Sequence, residues 1–282
     1  MSMQATITGT NISFDEKKQL ATIDVAPGHI PMKYKLLNDQ MHQLLNRGFK
    51  TIDLVNVVGQ RFIGAAIGGD IHISIHGTPG NDLGIFMDGP TIEVFGNVED
   101  QSGNTMNGGR IIVHGSARDV TGLSARGGEI FVQGDGGYRC GVHIKQYQAK
   151  RPIIVFGGRV RDFFGEYMAG GLLVVLGLHI SNDGNFTKID DFPAAGKSIA
   201  TGIHGGKVIL ARAVDEIDPA SLGTGAKLAE LDEDDRVDLQ QVLGSYCGYF
   251  NLDTDQVLAL PFCKITAMSK RPFASNYCSK MV

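Results

Sequence analysis

The sequence predicts a mainly β fold: a single-stranded right-handed parallel β-helix of about seven turns, with a small α/β flank before it and a helical flank after it. Three observations carry this expectation. Glycines recur on a 19-residue period, short β-branched runs of alternating polarity lie between them, and no 3.6-residue pattern occurs inside a repeat. Composition agrees. The chain of 282 residues holds 38 glycines but only 9 prolines, so it is neither collagen-like nor a Pro/Gly linker. Hydrophobic residues make up 43 %, enough to bury a core, and with aromatics at 7 % and no Trp that core must be small and β-branched.

The repeat is read most clearly from its strands. Ile71-His-Ile-Ser-Ile-His-Gly77, Thr91-Ile-Glu-Val-Phe-Gly96, Arg110-Ile-Ile-Val-His-Gly115 and Glu129-Ile-Phe-Val-Gln-Gly134 close on glycines 19 residues apart. A second glycine keeps the same period at Gly84, Gly103, Gly122 and Gly141, and later repeats supply Gly165 and Gly177. With the closing glycines Gly77, Gly96, Gly115 and Gly134 these make ten, all assigned to corners where the chain turns with positive φ. Alternation such as Ile73 against Ser74, or Ile130 against Phe131, gives each strand an inner and an outer face. One such turn cannot bury its apolar face alone, so turns must stack.

A further column falls in the turns: Asn81, Asp100, Asp119, Tyr138 and Asp162. An acidic binding edge is one reading. Side-chain bonds from Asn and Asp to turn backbone explain the recurrence more simply, and the nonapeptide calcium repeat is absent.

The flanks differ. Ala5 to Phe14 and Gln19 to Val25 read as a hairpin around Asp15-Glu-Lys-Lys. Met32 to Leu45 reads as an amphipathic helix with Leu36, Leu37, Met41, Leu44 and Leu45 on one side, stopped by Gly48. Thr51 to Val58 is a buried strand. The segment Leu178 to Ala200 breaks the period and reads as a loop, functional or interface-forming by its length. Asp232 to Tyr246 reads as a helix capped by Asp232 or Asp234, with Val237, Leu239, Val242, Leu243 and Tyr246 as its apolar contacts. A short helix over Asp253 to Leu260 and an extended tail from Pro261 to Phe273 follow. The division is therefore 1–50, a cap; 51–212, the β-helix; and 213–282, a helical extension.

Chemistry is sparse. A net charge of −4 gives no footprint for nucleic acid or a membrane surface. No leader-like start and no long apolar run are seen, which points to the cytoplasm. Cys140, Cys247, Cys263 and Cys278 form no CxxC pair, so no metal site is assigned and buried thiols are expected. The residue after Met1 is Ser2, which argues against an amino-terminal cysteine nucleophile. No dinucleotide or P-loop context surrounds the glycines. His76 and His114 fall at equivalent positions two turns apart, with Phe95 between them, so a metal pair is not expected. No catalytic or cofactor-binding residue is assigned. Two stretches carry more polar groups than a corner needs: Tyr138-Arg-Cys-Gly-Val-His-Ile-Lys145 and Asp162-Phe-Phe-Gly-Glu-Tyr-Met168. From them Arg139, His143, Lys145, Asp162 and Glu166 are candidate interface residues.

Five blocks in order resemble a known family. They are Asp53-Leu-Val-Asn-Val-Val-Gly-Gln-Arg-Phe-Ile-Gly64, Gly77-Thr-Pro-Gly-Asn-Asp-Leu-Gly-Ile-Phe-Met-Asp-Gly89, Gly103-Asn-Thr-Met-Asn-Gly-Gly109, Gly165-Glu-Tyr-Met-Ala-Gly-Gly171 and Thr201-Gly-Ile-His-Gly-Gly206. Over about residues 50–212 the chain resembles the GXGXG domain, the carboxy-terminal β-helix of the glutamate synthase large subunit, in a stand-alone form. One of the subunits of formylmethanofuran dehydrogenase, and of the formyltransferase/hydrolase complex, is similar in its repeat at greater distance. The resemblance implies a structural subunit without catalytic residues of its own. Its partners would be a glutamine amidotransferase subunit and a synthase subunit holding FMN and an iron–sulfur cluster. In such a complex ammonia from glutamine reaches 2-oxoglutarate for reductive amination. N-methylglutamate synthase is built from similar parts. The alternative implied role is the scaffold of a formyl-transfer complex.

Overall fold

A computed structural model describes residues 11–190 and 193–269. Its main element is a twelve-stranded sheet. The strands in chain order are β1 (Ile12–Asp15), β2 (Leu20–Asp24), β3 (Thr51–Val58), β4 (His72–Thr78), β5 (Asp88–Phe95), β6 (Gly108–Val113), β7 (Glu129–Val132), β8 (Ile153–Phe156), β9 (Ala169–Val175), β10 (Leu178–Ile180), β11 (Phe186–Lys188), β12 (Gly205–Leu210), β13 (Ala226–Glu230) and β14 (Cys263–Ala267). The helices are α1 (Tyr34–Asn46), α2 (Glu233–Phe250) and α3 (Thr254–Leu258). From β2 to β9 and on to β12 every neighbouring pair is parallel, the ladder of a β-solenoid. The strands expected from Ile71 onward are β4 to β9 and β12.

The register explains why the repeat folds this way. Ile52, Ile73, Ile92, Ile111, Ile130, Ile154, Leu173 and Val208 lie on consecutive strands in one column. Each is at most 1 % exposed. Burying such a side chain contributes about 1.5–3 kcal/mol, and only stacking can bury it. The opposite wall is closed by turn residues such as Met87, Met106, Ile144 and Met168, all fully buried.

The outer face of the sheet changes character along the column. Asp53, Ser74 and Glu93 are followed by Ile112, Phe131, Val155, Val174 and Ile209. The apolar half is covered by α2 through Leu239, Val242, Leu243, Tyr246 and Phe250. With 18 residues α2 is about 27 Å long, enough to cross the roughly 24 Å from β14 to β6. Tyr246 Oη donates to the Val132 carbonyl at 3.0 Å. At the start of α2 Asp232 caps the helix, and the fully buried Asp235 carboxylate takes both Lys207 of β12 and Lys264 of β14. A bidentate Arg151–Asp238 pair at 2.6–2.7 Å adds a third tie.

Several expectations need correction. The expected loop from Leu178 holds the antiparallel hairpin β10–β11, because Asn182-Asp183-Gly184-Asn185 is turn chemistry between two short strands. The expected extended tail forms β14, which pairs antiparallel with both β12 and β13; residues 270–273 of it lie outside the described residues. Strand β13 had no expectation at all. Leu36 and Val237, expected in apolar contacts, are 52 % and 60 % exposed. The hairpin β1–β2 is present, while the portion before residue 11 lies outside the described residues.

The corner glycines divide into two kinds. Gly77, Gly84, Gly103, Gly122, Gly141, Gly165 and Gly177 hold positive φ, as expected. Gly96, Gly115 and Gly134 do not, contrary to expectation. They are glycine for closeness: a Cβ on Gly115 would lie 2.6 Å from the Gly96 carbonyl oxygen and 2.6 Å from Asn97 Oδ1 of the turn below.

Candidate functional site

The side of the solenoid opposite the sheet is built on left-handed backbone at residues other than glycine. Asp82, Gln101, Val120, Arg139 and Phe163 share one such column, and Phe86, Thr105, Ser124, His143 and Tyr167 share a second. Each amide donates to a carbonyl of the next turn, as in Arg139 N–H to the Asp162 oxygen at 3.0 Å and His143 N–H to the Glu166 oxygen at 2.9 Å. A left-handed residue with a Cβ costs about 1–2 kcal/mol, which the inter-turn bonds offset.

This geometry brings the two stretches singled out from sequence onto adjacent turns. Arg139 Nη1 reaches Glu166 Oε2 at 2.8 Å. Glu166 is only 5 % exposed, so Arg139 is its charge partner at the surface. The Arg139 guanidinium also lies 5.0 Å over the Phe163 ring. His143 stacks on Tyr167 with centroids 5.2 Å apart. Lys145 is exposed beside Ala169 of the next turn. Asp162 stands apart from this cluster: its side chain accepts from the Lys197 amide at 2.8 Å.

Asp162 belongs to the turn column. Asp100 accepts from the amide of Asp119 at 3.2 Å, and Asp119 accepts from that of Tyr138 at 2.9 Å. A parallel column runs from Asn97 to Ser116, Asp135 and the amide of Arg159. The expected side-chain-to-backbone bonds exist, but they join one turn to the next instead of bracing each corner. The carboxylates are thereby spent on the frame.

Three other places have chemical character. The Phe95 ring lies between the imidazoles of His76 and His114, with centroids 4.8 and 4.9 Å away, and Glu93 bonds His114 Nε2 at 2.7 Å. Arg212, 6 % exposed, donates to the carbonyls of Ala211 and Ile189 at 2.7 Å and less closely to those of Leu176 and Gly177. Burial lowers its pKa. It borders a cavity of about 940 Å³ beneath the segment following β11. Sequence reasoning missed Arg212, since nothing in its spacing marks it. Finally, Cys140 and Cys263 are buried thiols pushed up to about 12 by desolvation, and burial also raises Cys247. Cys278 lies outside the described residues. Among the described residues no group of three His, Cys, Asp or Glu side chains could hold a metal. No described helix is long and apolar enough to cross a membrane.

Fold and surface thus define a stacked β-solenoid whose polar groups mostly serve its own frame. The GXGXG motif family model matches residues 40–267, and the chain belongs to that family. It is also 49 % identical over 252 residues to an uncharacterized protein of Methanocaldococcus jannaschii, covering 87 % of this chain and 93 % of that relative.

Proposed function

We propose that this chain is the non-catalytic assembly subunit of a glutamate-synthase-like complex. It would hold a separate glutamine amidotransferase chain and a separate FMN and iron–sulfur synthase chain in register, so that ammonia released at one reaches 2-oxoglutarate at the other. The observation that carries this reading is the family match across residues 40–267 on a continuous, rigid ladder. A ladder bonded turn to turn keeps fixed distances between whatever docks along it, which is what directed transfer of a small reactive product requires.

The test is affinity purification of the tagged full chain from its native host, followed by mass spectrometry and reconstitution. Amidotransferase and FMN chains should co-purify in fixed ratio. Glutamine-dependent glutamate formation should fall when this chain is left out, and the purified chain should show no flavin absorbance. Recovery with neither partner would overturn the reading. Recovery with formyltransferase and amidohydrolase-like chains would move the same scaffold role to a formyl-transfer complex.

A further inference from the structure

The left-handed face carries its charges in a definite order. In the turn after β4 stand Asp82 and the 52 %-exposed Phe86, and Asp88 opens β5 directly after it. In the turn after β7 the same three columns hold Arg139, His143 and Lys145. In these columns one end of the face carries carboxylates and the other cations, about 14 Å apart at three strand spacings, with Arg139 also holding the buried Glu166 carboxylate through Nη1. One turn further out at each end, the first column holds an aromatic, Phe62 after β3 and Phe163 after β8.

We propose that this face docks a second copy of the same chain about a two-fold axis. The axis lies across the face, between the turns after β5 and β6. It reverses the order of turns and keeps each column opposite itself. Asp82 then meets Arg139 of the second copy, Asp88 meets its Lys145, Phe86 meets its His143, and Phe62 meets its Phe163. Every contact occurs twice.

The other possible two-fold, along the solenoid, keeps turns level and exchanges columns. It sets Asp82 against Asp88 and Arg139 against Lys145, like charge on like, so the charge order selects the antiparallel arrangement. Phe86, Arg139 and His143 hold φ of +60°, +56° and +58°. Glycine or asparagine would be cheaper there. Their outward side chains are retained against that strain, as expected of a surface that is used. Asp88 also pairs with Lys150 at 3.0 Å, but both are more than half exposed and such a pair exchanges at little loss.

Sedimentation of the purified full chain tests this without any partner subunit, so its result is separate from that of the assembly reading. The chain should be dimeric in the micromolar range, and raising salt from about 0.05 to about 0.5 M should weaken the dimer. Lys145→Glu should loosen it at least about tenfold, and so should Asp88→Lys. Lys145 and Asp88 are exposed, so circular dichroism melts should show both variants folded. Combining them in one chain restores opposite charges across the axis and should recover most of the affinity. A monomer at about 100 μM, a dimer indifferent to Lys145→Glu, or a double variant no tighter than the singles would each overturn the proposal.

Discussion

Gly64 and Gly115 should respond oppositely to rescue, because an added Cβ would strike a removable side-chain methyl at one and fixed backbone at the other. Gly64 has φ of +75°, and an added Cβ would sit 2.6 Å from Ile92 Cδ1, with nothing else closer than 3.8 Å. Gly64→Ala therefore carries about 1–2 kcal/mol of left-handed strain and about 1–3 kcal/mol of overlap. Ile92→Val removes the offending methyl and alone costs about 0.5–1.5 kcal/mol. In the double variant the new methyl fills the space the old one left. Its loss should fall short of the summed singles by about 1 kcal/mol or more. Gly115 lacks positive φ, but a methyl there meets the Gly96 carbonyl oxygen at 2.6 Å, and that oxygen belongs to the frame. Gly115→Ala should cost about 2–3 kcal/mol. Asn97→Ala should not rescue it, since the Gly96 carbonyl oxygen and carbon, at 2.6 and 2.8 Å, both remain. Urea midpoints at unchanged slope measure all these variants. Additivity of Gly64→Ala with Ile92→Val would refute the overlap with the Ile92 methyl, and a neutral Gly115→Ala would refute the close approach to the Gly96 carbonyl.

Two further outcomes follow from buried groups. Asp235→Asn should destabilise by about 3–5 kcal/mol, because it leaves Lys207 and Lys264 without their buried partner. Burial alone would raise the Asp235 carboxyl, but bonds from Lys207, Lys264 and the Asp232 amide outweigh it and hold the pKa well below the usual carboxylate range. Its contribution is then complete above the unfolded value of about 3.9 and lost as pH falls below it, so urea midpoints should drop between pH 6 and pH 3 more in the native chain than in Asp235→Asn. Cys140 and Cys263, held as thiols, should resist alkylation at pH 8 until the chain unfolds; peptide mapping that finds either one modified within minutes in native buffer would contradict their burial.

Where the sequence repeats, the fold was legible. The 19-residue spacing predicts the parallel ladder because stacking equivalent turns is what lets Ile73, Ile92, Ile111 and Ile130 bury one another. Legibility fails where the period fails. Strand β14 is five residues long and lies outside the repeat, and only its pairing with β12 and β13 marks it as a strand. The positive φ expected at Gly96 and Gly115 was misassigned for a related reason: period shows that glycine is required, but not whether backbone or neighbour requires it. The candidate surface was half legible. Arg139, His143 and Glu166 stood out by residue type, whereas their counterparts Asp82 and Phe86 looked like ordinary turn residues until the register placed them in the same columns.

That register turns a linear repeat into a surface with readable columns. The outward sheet column changes from Ser74 and Glu93 to Ile112 and Phe131, and the change falls where α2 begins to cover the sheet. A column turns apolar where it is covered, so polarity along a column reports what lies over it. The same rule applies to the left-handed face. Its columns never become continuously apolar: they run from Asp82 through Gln101 and Val120 to Arg139. A permanent cover such as α2 would need an apolar column, and an uncovered face has no reason to hold Phe86 and Tyr167 exposed on left-handed backbone. Mixed polarity with an ordered change of sign fits a cover that comes and goes, which is the character of an association surface between folded chains.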